Sequence, residues 1–230
     1  MGYPPAFLQR KDLLQGLFEQ LPDKSKVHTS KRVCKVDHST TGVVVHCEDG
    51  SSYSGDIVVG SDGVHSAIKP IMLQHIELSK PGTTKKDNNS VSAEFNCIFG
   101  LGNPVEGVVR PGDAHRSYSE GHSTISFVGR GGMLYWFLFT RMDKRYYGKG
   151  IPKFSKAEME EAAKAFYKIH MTDSITFEQV WEKRTFANMC CVEEATNDHW
   201  TSGRFVCLGD SMHKVHNIVQ FSTIRHAHAK

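Results

Sequence analysis

Gly60-Ser61-Asp62-Gly63-Val64-His65-Ser66-Ala67-Ile68-Lys69 is the stretch that decides the fold. It follows Asp56-Ile57-Val58-Val59, whose apolar continuity reads as a short buried strand. A strand that runs into Gly-x-Asp-Gly makes a tight turn. The Asp62 carboxylate and the backbone N–H groups there can face a nucleotide or pyridine phosphate. A second element of the same kind lies near the other end, in Arg204-Phe205-Val206-Cys207-Leu208-Gly209-Asp210-Ser211-Met212-His213. Asp210 comes 148 residues after Asp62. Two strand-to-acidic-turn elements so far apart suggest one cofactor held by distant parts of the chain.

This pair of motifs carries a resemblance. The chain resembles the FAD-dependent aromatic-hydroxylase-type (single-component flavoprotein) monooxygenases. The first element resembles their DG motif, and the second resembles the Gly-Asp motif that contacts the ribityl of FAD. Residues 25–62, residues 205–214 and Trp136-Phe137-Leu138-Phe139 look most like the fungal secondary-metabolite branch, which includes epoxidases of prenyl chains in meroterpenoid and indole-diterpene pathways. The resemblance spans roughly residues 5–220.

The resemblance implies FAD as cofactor, NADPH as reductant and a small apolar aromatic or prenylated substrate. Oxygen transfer would pass through a flavin hydroperoxide, so the protein positions the ring, excludes water and supplies donors. An apolar chamber is then expected, and no protein nucleophile is needed. The sequence has no Gly-x-Ser-x-Gly elbow and no His-Glu-x-x-His metal site. Gly209 and Asp210 become the leading cofactor-binding residues, with Asp210 accepting from a ribityl hydroxyl; a turn aspartate capping its own backbone is the alternative. Asp62 is the next, against a purely structural Asp-Gly turn. Arg10, followed by Leu13, matches an arginine that reaches FAD, against a surface arginine at a helix start. Tyr118 is the candidate catalytic hydroxyl, against a plain exposed or core tyrosine. His213 reads as structural before acid–base. Lys69 stands where the family motif usually ends in arginine; it keeps the charge but lacks the planar fork that suits phosphate.

Two departures from the family follow. No Gly-x-Gly-x-x-Gly occurs, so the first βαβ unit, implied by the resemblance about a hundred residues before Met1, is expected to be missing. Beyond the second motif, Val219 and Phe221 stand where family glycines are expected. The chain therefore reads as the product of a truncated or incompletely delimited gene, with weak or absent FAD binding expected. A non-catalytic remnant is the alternative function, and a generic nucleotide-binding α/β protein a more distant one.

Composition agrees with an ordinary globular protein: 230 residues, 39% hydrophobic, 23% charged, formal charge +3. The basic pairs Lys31-Arg32 and Lys85-Lys86 are too short for a nucleic-acid face, so no nucleic-acid partner is expected. The six cysteines make no Cys-x-x-Cys pair and lie mostly in apolar runs, which indicates a reduced, intracellular chain and no metal site. His226 and His228 read as a polar tail. No apolar run approaches the roughly 18 residues of a membrane span. The N-terminus has no signal pattern, and Gly2 sits in a poor myristoylation context. Localisation is expected to be cytoplasmic or membrane-associated, any anchor lying in segments outside this sequence. Oligomeric state is not legible.

The expected fold class is α/β (α+β): a partial FAD-binding Rossmann-like domain with an inserted, mostly antiparallel substrate-domain sheet. Residues 1–80 are read as the partial FAD-binding domain, with a helix over 9–21 and a β-meander of strands 31–37, 42–48 and 51–54, set off by the turn signals Thr40-Thr41-Gly42 and Glu48-Asp49-Gly50. Pro81–Ser90 is read as a polar boundary loop. Residues 91–185 form the substrate-side sheet, with strands at 92–99, 123–128 and 133–139 and helices at 155–170 and 176–183. Residues 186–230 return to the cofactor domain through a strand at 186–192. The run Leu134–Phe139 alternates aromatic sides, and reads as core packing or as a hydrophobic substrate wall.

Overall fold

The computed structural model describes residues 8–107 and 110–214. The readings at Val219, Phe221, His226, His228 and the N-terminal Met1–Pro5 therefore lie outside the described residues. The chain divides into two compact units: residues 1–24, 94–145 and 152–192 form unit one, and 25–93, 146–151 and 193–230 form unit two. This differs from a split at 80, 91 and 186, because the first helix groups with the sheet and the strand expected at 186–192 stays in unit one up to Val192.

Unit two begins with the expected meander. Strands β1 (Val33–His38), β2 (Val43–Cys47) and β3 (Ser52–Gly55) pair antiparallel in that order. Polar side chains fasten both turns: Ser39 Oγ accepts from the Gly42 N–H at 3.1 Å, and Asp49 Oδ1 accepts from the Ser51 N–H at 3.1 Å. Strand β4 (Val58–Gly60) then leads into helix α2 (Ile68–Ser79), which adds to the elements expected from sequence. Its buried stripe, Ile68, Met72, Leu73 and Ile76, has helical spacing, and Pro70 sits in the first turn, where its missing N–H costs nothing. Helix α3 (Lys85–Asn88) interrupts the expected polar loop at 81–90 and buries Asp87.

Unit one carries most of a six-stranded sheet. Its strands are β5 (Ser92–Gly102), β6 (Ala114–Ser119), β7 (His122–Val128), β8 (Leu134–Tyr147) and β9 (Arg184–Thr196). Beyond them come β10 (Thr201–Ser202), β11 (Phe205–Cys207) and β12 (His213–Lys214). The sheet order is β12-β9-β5-β8-β7-β6, with β6, β7 and β8 antiparallel, as an inserted antiparallel sheet requires. Strand β6 is a further addition to the sequence reading. Helix α4 (Lys156–Lys164) starts at the expected position, with a capping box between Ser155 and Glu158, but ends well before residue 170. With helix α5 (Phe177–Glu182) it covers one sheet face. Trp136 lies at the centre of that core, edge-on to Phe177 at 5.3 Å between ring centroids. Helix α1 (Arg10–Glu19) forms where its leucine spacing predicts, yet none of its residues is buried; Leu13, Leu14 and Leu17 are half exposed or more.

Candidate functional site

The two acidic turns meet through strand pairing inside unit two. β4 and β11 are parallel neighbours, with Phe205 opposite Val58, Val206 opposite Val59 and Cys207 opposite Gly60. Parallel strands end on the same side, so Asp62 and Gly209-Asp210 leave the sheet at one edge. In open α/β sheets this carboxyl-end crevice is where ligands bind. Two hydrogen bonds close the junction: the Leu208 N–H donates to the Gly60 carbonyl at 2.9 Å, and the buried Ser211 hydroxyl lies 3.0 Å from that same oxygen.

Each turn has its own local cause. Asp62 Oδ2 accepts from the N–H of Ala67 at 2.7 Å and of Ile68 at 3.1 Å, so it caps α2 from five and six residues upstream. One carboxylate oxygen of Asp62 is thus committed to holding its own turn. Gly63 and Gly209 have φ of 78° and 62°, a region in which a side chain is strained, and a Cβ on either would meet nothing within 4 Å. The backbone around both turns is therefore open to an approaching group. Asp210 is exposed beside Gly209, and its carboxylate offers the acceptors that suit a hydroxyl-bearing ligand.

The remaining sequence candidates belong to unit one. Arg10 opens α1 and is exposed. Tyr118, 40% exposed, sits on β6 opposite Ser123, which in turn sits opposite Phe139. Cross-strand partners share a face, so Tyr118 belongs to the sheet face opposite Trp136. That face is aromatic and only partly covered. Phe137 stacks with Phe99 at 6.3 Å and with Phe139 at 6.1 Å, and Phe99 meets Phe186 at 6.2 Å. The run 134–139 is therefore core on one side (Leu134, Trp136, Leu138) and a half-open aromatic wall on the other.

Sequence reasoning missed the polar layer behind the turns. Asp87 is 1% exposed and accepts from the Asp198 N–H at 2.7 Å, the His199 N–H at 3.2 Å and His199 Nδ1 at 2.8 Å. Burial pushes its pKa up, but the imidazole and the two amides outweigh burial and hold it below the usual carboxylate value. The polar cluster Asn197-Asp198-His199 ahead of a strand was the available signal. Burial likewise raises the thiol of Cys207, behind the turns, to about 11, with Asp62 adding to the rise. Among the described residues no three His, Cys, Asp or Glu side chains gather as a metal site, and no helix is long and apolar enough to cross a membrane.

A parallel strand pair ending in two acidic turns, with an antiparallel sheet inserted between them in the chain, defines the α/β fold of flavin hydroxylases. A solved variant of HpxO from Klebsiella pneumoniae complexed with FAD shares that fold, with a TM-score of 0.68 at 19% identity over 90% of this chain and 50% of that one. The chain belongs to the flavin containing amine oxidoreductase family, whose profile matches residues 11–175. It is similar to the FAD-dependent monooxygenase BOA8 of Botryotinia fuckeliana (42% identity over 94% of this chain and 28% of that protein). It is also similar to the FAD-dependent monooxygenase esdpE of Penicillium shearii (38% identity over 93% and 44%). The chain thus spans less than half the length of these two relatives. The resemblance read from the two motifs is borne out, and alignment along nearly the whole chain does not favour the remnant reading.

Proposed function

We propose that this chain is the part of an FAD-dependent monooxygenase that holds FAD at the paired turns and receives a small apolar substrate on the aromatic face of the unit-one sheet. One observation carries the reading: the parallel register of β4 and β11 brings Asp62 and Gly209-Asp210 to one edge of one sheet. Bound FAD would supply oxygen activation and insertion, with NADPH as the reductant.

The chain's own residues supply the rest. The Asp210 carboxylate accepts hydrogen bonds from cofactor hydroxyls, and the open backbone at Gly209 lets the ligand come close. Asp62 keeps the first turn closed over α2, and Arg10 is the proposed cationic contact. Phe99, Phe137 and Phe139 give an apolar wall that favours an aromatic or prenylated natural product and keeps water away from the reacting carbon. Tyr118, on the same face, is the proposed hydroxyl donor that orients the substrate. Hydroxylation or epoxidation in secondary metabolism follows as the proposed activity, and the buried thiols of Cys47, Cys97 and Cys207, which serve as small apolar side chains, fit an intracellular setting.

Titration of FAD into the 230-residue chain, followed by flavin fluorescence, tests this reading. Saturable quenching is expected, weakened about tenfold or more by Asp210→Ala with the far-UV dichroism unchanged. Equal affinity in both proteins, or no saturable binding by either, overturns it.

A further inference from the structure

Lys69 closes the first motif and Met212 follows the second, and a continuous set of polar atoms joins them. Lys69 Nζ lies 3.3 Å from Ser90 Oγ and donates to it. The same hydroxyl oxygen lies 2.8 Å from Asn197 Oδ1 and 2.9 Å from the Asp87 carbonyl, two acceptors between which its proton is shared. Asn197, 2% exposed, then grips one atom twice: its backbone N–H at 3.1 Å and its side-chain Nδ2 at 2.6 Å both donate to the Met212 carbonyl. Both lone pairs of that carbonyl are used, so the end of the second turn is fixed in direction as well as distance. The buried Asp87 carboxylate holds residues 198 and 199 beside this clamp.

We propose that Ser90 and Asn197 are positioning residues that lock the two turns into one rigid cradle, and that Lys69 is the internal strut of this lock and not a phosphate contact. The bearing on FAD rests on the function proposed above; the mechanical coupling does not. Lys69 is half-buried and its ammonium is engaged with Ser90, whereas a motif-ending cation that meets phosphate must present its charge to a ligand. This accounts for lysine at the position where the resembling family carries arginine. A single donor on a flexible stem reaches one hydroxyl, whereas a planar fork needs a bidentate partner.

Native-state amide exchange by NMR on Lys69→Met, Ser90→Ala and Ser90→Thr, without flavin, tests the proposal. The reporters are the N–H groups of Leu208, bonded to Gly60, and Met212, bonded to Gly209. Val44 and Val45 in the meander are the controls. Lys69→Met and Ser90→Ala are expected to speed exchange at Leu208 and Met212 about fivefold or more relative to the controls, and Ser90→Thr, which keeps the hydroxyl, to restore it. A change confined to residues 67–72, or one that scales evenly with Val44 and Val45, overturns it. Should Lys69→Met not fold, the contrast between Ser90→Ala and Ser90→Thr decides alone. Because no flavin is present, a failure to bind FAD does not affect this result.

Discussion

Trp136 in unit one and Asp87 in unit two are both almost fully buried, yet their surroundings have nothing in common. Trp136 is packed among rings and aliphatic chains from α4, α5 and the sheet. Asp87 is surrounded by two backbone N–H groups and an imidazole. The first environment is non-directional and scales with area; the second is directional and scales with charge and satisfied donors. The contrast matches what each unit is proposed to do. A sheet that offers an apolar wall needs a stiff, close-packed backing. Turns that hold a polar cofactor need backbone fixed in orientation.

The largest expected effect separates the two faces of β8. Trp136→Ala should cost about 3–5 kcal/mol of stability in denaturant unfolding, as a buried large-to-small change. Phe137→Ala, on the half-open face, should cost roughly 1–2 kcal/mol. Equal losses would mean that the aromatic wall is ordinary core. In unit two, Asp87→Ala should cost about 2–3 kcal/mol because it strands buried donors, and Asp87→Asn should recover only part of that. A loss below about 0.5 kcal/mol would show that the polar layer does not hold the turns.

A smaller effect depends on pH. His38 Nε2 accepts from the Arg204 N–H at 3.0 Å, so this nitrogen carries no proton in the fold. Burial lowers the His38 pKa from the ordinary 6.5, and the His75 ring, 4.4 Å away, and Arg204 lower it further. The unfolded chain therefore takes up the proton first. Stability from neutral His38 is complete above about pH 6.5 and is lost as pH falls through the folded value. Asp87, depressed below the ordinary 3.8, titrates only at lower pH. Thermal melts between pH 8 and 5 should show a steeper acid decline for the wild type than for His38→Gln, which keeps an acceptor that does not titrate. Parallel slopes would contradict this.

The legible parts of the fold are those in which local chemistry and tertiary packing agree. Thr40-Thr41-Gly42 and Glu48-Asp49-Gly50 place the meander, and Ser155 with Glu158 places the start of α4. Helix α2 is hidden because Asp62, the residue that caps it, reads first as a cofactor residue. Strand β6 is hidden because its polar residues show no apolar alternation; only its pairing with β7 makes it a strand. At the candidate site, Gly209 and Asp210 can be named from sequence because their motif is contiguous. Asn197 and Ser90 cannot, since residues 107 positions apart become neighbours only after the strands pair. The exposed leucines of α1 show the converse, a helical pattern in sequence without burial in the described residues.

Chemical-shift mapping of the 230-residue chain on addition of FAD tests the pairing of the turns most directly. The account predicts that amides of residues 62–64 and 208–211 shift together, along one binding isotherm. Shifts at only one turn, two separate isotherms, or saturable shifts that leave both turns unmoved would contradict it.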